Sequence, residues 1–325
     1  MHTKRLISAL AVVGSITGAM AASAYADTPQ GQSAQSANWS GYVVGGSSGG
    51  STPQFSSVSG SWTQPSANCS SGQGDSAFWV GIGGAGQQSQ ALEQVGTEAD
   101  CNGGSAASNF AWYELVPSAP VRLNVTISPG DHVSGKVTVN GTDITVSLAD
   151  NTTGDSATKT LQMSTPDVSS AEWIAEAPSQ CDGSGDCQPL PLADFGKVNF
   201  TNASATANGH TGTISDPSWS TSPVSLNSDG AGASGAEFLS DTSSAGATPS
   251  GLSSDGTSFA VSYLANGGQS AASATSGPGG GYGGGYGSGG YSGGGSGYGG
   301  GGYGGADGSG SAYGGDGPGI IIVYS

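Results

Sequence analysis

The chain has 325 residues, 61 of them glycine, and only 9% of its residues are charged. Asp and Glu outnumber Lys and Arg 23 to 6, for a formal charge of -17, and beyond Arg5 the only cations of this kind are Arg122, Lys136, Lys159 and Lys197. Neutralising phosphates or holding anionic lipid needs clustered Lys and Arg, so a nucleic-acid partner and a basic membrane patch are excluded.

Lys4 and Arg5 precede an apolar run from Leu6 to Ala22, and Ala24-Tyr25-Ala26 supplies small residues for cleavage. These are the three parts of a secretory signal peptide, expected over residues 1–26. Gly14, Ser15, Thr17 and Gly18 dilute the run and argue against a membrane anchor. No other stretch approaches the roughly 20 apolar residues of a spanning helix. Residues 27–37 are expected to be a short extension, and the protein a secreted monomer with no membrane partner.

From Asn38 to about residue 265 the texture is that of strands. Val58–Trp62, Ala77–Ile82, Phe110–Leu115, Lys197–Thr201 and Ser258–Leu264 are candidates. Arg122–Ile127 alternates, and Ser128-Pro129-Gly130-Asp131 then turns the chain. His132–Val139 and Asp143–Leu148 alternate about an Asn140-Gly141 hairpin turn. No segment keeps helical periodicity for three turns. The fold class expected is all-β, an antiparallel β-sandwich of the concanavalin-like kind spanning residues 38–265.

Residues 266–319 form a Gly/Ser/Tyr-rich tail, with 26 glycines in the 43 residues 277–319, too poor in apolar surface to fold. The apolar residues 320–325 are suited to pairing at a sheet edge.

Cys69, Cys101, Cys181 and Cys187 are expected to form two disulfides in an oxidising compartment. Three pairings are open. Cys181–Cys187, closing the loop at residues 182–186, is favoured, which leaves Cys69 to Cys101. Zinc ligation and other metal or cofactor binding are not expected, since beyond the leader only His132 and His210 remain and no C-x-x-C pair occurs.

Chemistry must come from few groups. The histidines lie in turn-adjacent, hydroxyl-rich sequence. The six glutamates Glu93, Glu98, Glu114, Glu172, Glu176 and Glu237 are more informative, because most lie in apolar or aromatic context. Read as a strand, residues 170–178 put Glu172, Ile174 and Glu176 on one face and Trp173 and Ala175 on the other. Two carboxyls on one strand face are costly unless hydrogen-bonded or protonated. Gln94 and Glu98 likewise share a side, opposite Glu93. Glu93 and Glu237 are read as edge-strand charges that deter aggregation.

Taken in order, several segments form a set. They are Asn38-Trp39-Ser40-Gly41, Phe78-Trp79-Val80-Gly81-Ile82-Gly83-Gly84, Glu93-Gln94-Val95-Gly96 and Ala111-Trp112-Tyr113-Glu114. Pro129-Gly130-Asp131 and Ala171-Glu172-Trp173-Ile174-Ala175-Glu176 follow, then the Cys181 to Cys187 loop. This set resembles the glutamic peptidases, or eqolisins, a family of secreted acid endopeptidases on a β-sandwich. The resemblance covers about Asn38 to Leu264 and implies polypeptide substrates, no metal, and a catalytic pair formed by Gln94 and Glu176. In that pair Glu176 is the general base that activates water, and Gln94 stabilises the oxyanion. Trp39, Glu98, Trp112, Glu114 and Glu172 are expected to bind substrate or support the site. One departure is Gly83, where the family often has an aspartate, so a carboxylate near the glutamine is expected to be missing.

Two other readings compete. A concanavalin-like glycoside hydrolase would use Glu114 and Glu176 as its carboxyl pair. A carbohydrate-binding module would present Trp39, Trp62 and Trp219 as exposed stacking platforms.

Overall fold

Alternation of apolar with hydroxyl side chains makes most of this chain a succession of strands. The computed structural model describes residues 5–7, 34–46, 52–85, 89–181, 187–227, 245–265 and 322–324. The expected signal peptide apart from residues 5–7, the loop at 182–186, Glu237 and the 266–319 tail lie outside these residues.

In chain order the first strands are β1 (Arg5–Ile7), β2 (Ala34–Ser36), β3 (Trp39–Gly45), β4 (Phe55–Thr63), β5 (Gly74–Gly83), β6 (Leu92–Cys101) and β7 (Ser108–Val116). There follow β8 (Val121–Arg122), β9 (His132–Asn140), β10 (Asp143–Asp150), β11 (Ser156–Gln162), β12 (Ser170–Glu176), β13 (Ser179–Cys181) and β14 (Cys187–Pro189). The last are β15 (Lys197–Ala207), β16 (His210–Gly212), β17 (Ser220–Asn227), β18 (Gly246–Pro249), β19 (Phe259–Leu264) and β20 (Ile322–Tyr324). Among the described residues there is no α-helix.

The main sheet runs β11-β10-β9-β4-β15-β19-β18-β17-β3-β12-β5-β6-β7-β8 and folds back on itself as a β-sandwich. One layer is built around β4, β9 and β10, the other around β12, β5 and β6. The core between them takes Val58, Val133, Val137 and Val146 from the first and Val80, Val95 and Trp173 from the second. Two tryptophans tie the layers: Trp173 Nε1 donates to the Ser59 carbonyl at 2.8 Å, and Trp62 Nε1 to Thr97 Oγ1 at 2.8 Å. Gly60 and Gly135 face each other across β4 and β9, and a Cβ on Gly60 would lie 2.8 Å from Trp173 Cδ1. The pair therefore forms the socket into which the large rings fit.

Expected hairpin β9–β10 turns at Asn140 and Gly141, the latter at φ +62°, a conformation that glycine adopts without a Cβ penalty. The alternation at Arg122–Ile127 misleads. Only Val121–Arg122 is a strand, while Leu123, Val125 and Ile127 bury their side chains from an irregular segment. The apolar C-terminus pairs through Ile322–Tyr324 with Arg5–Ile7 in a separate two-stranded sheet, and does not extend the main sheet's edge. Cys69 is bonded to Cys101. Cys187 is also disulfide-bonded, and it lies directly opposite Cys181 in the β13–β14 pair.

Candidate active site

β5, β6 and β12 are buried along their whole length, whereas a sandwich strand with one solvent face alternates. Their second face is therefore covered as well, and the unusual residues lie there. Across β3, β12, β5, β6 and β7 the register forms three rows. The first is Trp39, Glu176, Ala77, Glu98 and Phe110. The second is Gly41, Ile174, Trp79, Gly96 and Trp112, and the third is Val43, Glu172, Gly81, Gln94 and Glu114. Every residue that the sequence singled out as catalytic or supporting, Gln94, Glu176, Trp39, Glu98, Trp112, Glu114 and Glu172, falls in these rows. All seven are buried.

Glycine in the middle of this face makes room for Trp79. A Cβ on Gly96 would sit 2.4 Å from the Phe78 carbonyl oxygen and 2.6 Å from Trp79 Cβ. One on Gly81 would sit 2.8 Å from Trp79 Cζ3, so the indole lies over Gly81. Trp39 packs edge-on against it, with ring centroids 5.0 Å apart. At its other end, Trp79 Nε1 donates to Glu176 Oε2 at 2.7 Å, and Asn38 Nδ2 donates to Glu176 Oε1 at 3.1 Å.

Burial drives the Glu176 carboxyl well above the usual glutamate range, while the hydrogen bonds from Trp79 and Asn38 pull it back. Burial also raises Glu172, which Ser170 eases and the charges of Asp167 and Glu93 raise further. Gln94 Nε2 donates to Glu114 Oε2 at 2.7 Å. Gln94 Oε1 and Trp112 Nε1, both buried, have no hydrogen-bond partner among the described residues. Gln94 and Glu176 stand two rows apart with the Trp79 indole between them, and do not bond to each other. The donors to Glu176 are Trp79 and Asn38, neither of which sequence reasoning put in the site. The signal was there only as membership of the quoted motifs.

Position 83 has a physical explanation. Gly83 has φ +86°, and a Cβ there would meet the Asp167 carbonyl oxygen at 2.6 Å. Asp167 fills the space instead, accepting from the Ser89 hydroxyl, from Gly84 N at 3.4 Å and from Ser169 N at 2.9 Å.

Glu93 is not an edge charge. It is fully buried in a strand flanked on both sides, and burial first, with the Asp167 charge adding, pushes its carboxyl up to about 9. Trp39, Trp62 and Trp219 are buried too, so the exposed stacking platforms of a carbohydrate-binding module are not formed. Glu114 and Glu176 lie on β7 and β12 with two strands between and two rows apart, so more than about 14 Å separates them at the usual strand spacing. A glycosidase pair needs roughly 5–9.5 Å between carboxyls. His132 and His210 are exposed, and His210 bonds Asp216 at 2.9 Å, away from these rows. No group of three or more metal-ligating side chains is found among the described residues. An open groove of about 340 Å³ on the other layer, lined by Ser59, Ser134, Lys136, Ser147 and Thr158 among others, contains none of the candidates.

The sequence profile of the Peptidase A4 family matches residues 37–235. Aspergillopepsin-2 of Aspergillus niger is 33% identical over 202 residues, which is 54% of this chain and 66% of that relative's length. A scytalido-glutamic peptidase solved with a transition-state analog inhibitor superposes with a TM-score of 0.55 at 26% identity, covering 70% of this chain and 98% of that one. SCP-B, an eqolisin solved with the tripeptide Ala-Ile-His, gives 0.52 at 26% identity over the same shares.

Proposed function

The chain belongs to the peptidase A4 family, and from that premise we propose that it is a secreted acid endopeptidase in which Glu176 and Gln94 hydrolyse peptide bonds without a covalent intermediate. The observation that carries this reading is one buried carboxyl, Glu176, held by two side-chain N–H donors on the strand face that also bears Gln94.

In the ionised form Glu176 takes a proton from water as the hydroxide attacks the carbonyl carbon. The C–O bond forms, and the carbonyl oxygen becomes an oxyanion. Gln94 has two Nε2 hydrogens. One is engaged by Glu114, which fixes the amide plane, and the other serves the oxyanion. A donor at that place is typically worth about 3–4 kcal/mol of barrier. Collapse breaks the C–N bond, and protonated Glu176 delivers its proton to the leaving nitrogen, so the carboxyl ends as it began. The unpartnered Gln94 Oε1 and Trp112 Nε1 are suited to backbone groups of a polypeptide substrate. The tryptophans Trp39 and Trp112 flank this region on β3 and β7, and Glu98 and Glu172 complete its polar lining.

A group must be ionised to act as base, and burial holds Glu176 above an ordinary glutamate. kcat/KM therefore rises with pH through the Glu176 ionisation, which burial raises and the Trp79 and Asn38 donors pull back down. The Cys69–Cys101 disulfide supports an oxidising, extracellular setting. The test is cleavage of denatured casein between about pH 3 and 6 by the purified protein, unaffected by chelators, pepstatin or serine-directed reagents. Full activity in both Glu176→Gln and Gln94→Ala would overturn the assignment.

A further inference from the structure

The segment just before β3 does something that the catalytic pair leaves unexplained. β2 runs parallel to the end of β17, with Ala34 to Ser36 opposite Val224 to Leu226, while β3 runs antiparallel to the first part of the same strand. The chain must bend between Ser36 and Trp39, and Ser36 Oγ holds the bend by accepting from Trp39 N at 3.1 Å and Asn38 N at 3.4 Å. This is a local side-chain-to-backbone turn of the kind serine favours. The Ser36 hydroxyl hydrogen then points to Asn38 Oδ1 at 3.3 Å.

An amide with its oxygen engaged in this way has its nitrogen aimed the other way. Asn38 Nδ2 meets Glu176 Oε1, and the Asn38 carbonyl accepts from Ala177 N at 2.8 Å. Asn38 thus grips Glu176 by its carboxyl and by the peptide that follows it. Asn38, Ser36 and Glu176 are all buried, Asn38 completely.

We propose that Asn38, oriented by Ser36, is a positioning residue for the Glu176 carboxylate, so that the N-terminal strand β2 is part of the catalytic apparatus. The inference rests on Glu176 being the base. An N–H donor bonds an anion more strongly than a neutral acid, so it favours the ionised form that must take the water's proton. The other groups facing Glu176 are Trp39 on β3 and Ala77 and Trp79 on β5. The titratable groups on the same face are Glu98 in its own row, Glu172 along its own strand and Glu114 beyond Gln94. Arg122 is paired with Trp112 at the far edge. No described cation lies against Glu176, and its ionised form is helped by neutral donors alone.

Loss of a donor raises the Glu176 pKa and carries the acidic limb of the kcat/KM profile to higher pH. Asn38→Ala is expected to move that limb up by about one unit, a loss of roughly tenfold on the limb with little change on the plateau. Ser36→Ala, which frees the amide to turn, is expected to move it in the same direction by less. Ser36→Thr keeps the hydroxyl and should keep the wild-type profile. A merely structural role would lower kcat/KM by one factor at every pH, and that result, or an unmoved limb in Asn38→Ala, overturns the proposal. If Asn38→Ala does not fold by circular dichroism, Ser36→Ala decides, and an unmoved limb there overturns it. Glu176→Gln assayed alongside separates the two levels. An active Glu176→Gln removes the base assignment itself, whereas an inactive one with an unmoved Asn38→Ala limb removes only the positioning role.

Discussion

Each layer of the sandwich has an outward face, and the two faces differ in every respect that matters. On β9 and β10 burial alternates residue by residue, and the outward positions are His132, Ser134, Lys136, Thr138, Thr145 and Ser147, short or solvated groups that partner one another or water. On β5, β6 and β12 no position is exposed, and the outward positions hold Gln94, Glu98, Glu172 and Glu176 under tryptophan rings. A hydroxyl costs little to leave wet, whereas a buried carboxyl costs a great deal unless it is bonded or protonated. The second face accepts that cost repeatedly. The difference separates a surface that only has to be soluble from one that has to hold acids at altered pKa, which is the mark of a working site.

The sharpest way to break the comparison is to remove one titrating group from the costly face. Glu176→Gln keeps the shape but can accept from only one of the two donors and cannot take a proton, and kcat/KM on a peptide substrate is expected to fall about 10²–10⁴-fold. Glu172→Gln on the same strand is expected to fall much less, because Glu172 faces Val43 and Gly81 and lacks the Trp79 and Asn38 donors. Equal losses would mean that the face acts as a charge cluster and not through one base. Gln94→Ala comes next, with an expected loss of about 10²–10³ in kcat at unchanged KM. A change confined to KM would make Gln94 a binding group.

Stability sharpens the contrast further. The folded pKa values of Glu93, Glu172 and Glu176 are raised, so between the unfolded value and the folded one the native state holds protons that the unfolded chain has released. The stability these groups contribute is complete below about pH 4.5 and falls as pH rises, by roughly 1.4 kcal/mol per unit for each group still protonated. For Glu93 this continues up to about 9. The melting temperature is expected to be highest in acid and to decline through neutral pH, and Glu93→Gln should flatten the decline. A melting temperature that rises from acid to neutral would contradict the buried carboxyls. A composition almost free of cations suits the same range, since few charges remain to repel one another once the carboxyls are neutral.

Period-two patterning made much of this readable. It placed Glu172, Ile174 and Glu176 together, set Gln94 and Glu98 against Glu93, and indicated a sandwich of short strands. What it could not supply was register between distant strands. Asn38 and Trp79 reach Glu176 across sequence separations of 138 and 97 residues, and nothing local marks either as its donor. The same gap explains Glu93, whose polar character suggested an edge, although its strand has a neighbour on each side. It explains the tryptophans too: an indole looks like a platform until a facing glycine pair, such as Gly60 and Gly135, shows that it is a core ring. Leu123, Val125 and Ile127 alternate because one side faces the core, which requires no partner strand.

The smallest expected effect is a null on the hydroxyl face, and it bears most directly on the comparison. Thr158 Oγ1 donates to Ser147 Oγ at 3.1 Å in an exposed pair beside Lys136. Both partners can bond water instead, so Ser147→Ala is expected to change stability by less than about 0.5 kcal/mol. Lys136→Ser removes one of very few cations, yet lies on the layer that carries none of the catalytic candidates, so kcat/KM at acid pH should stay within a factor of two or so of wild type. A large loss would mean that polypeptide substrate also runs over this groove and that the two faces cooperate. An unchanged profile, beside a collapsed one for Glu176→Gln, would show that activity follows buried acid and not polar surface in general.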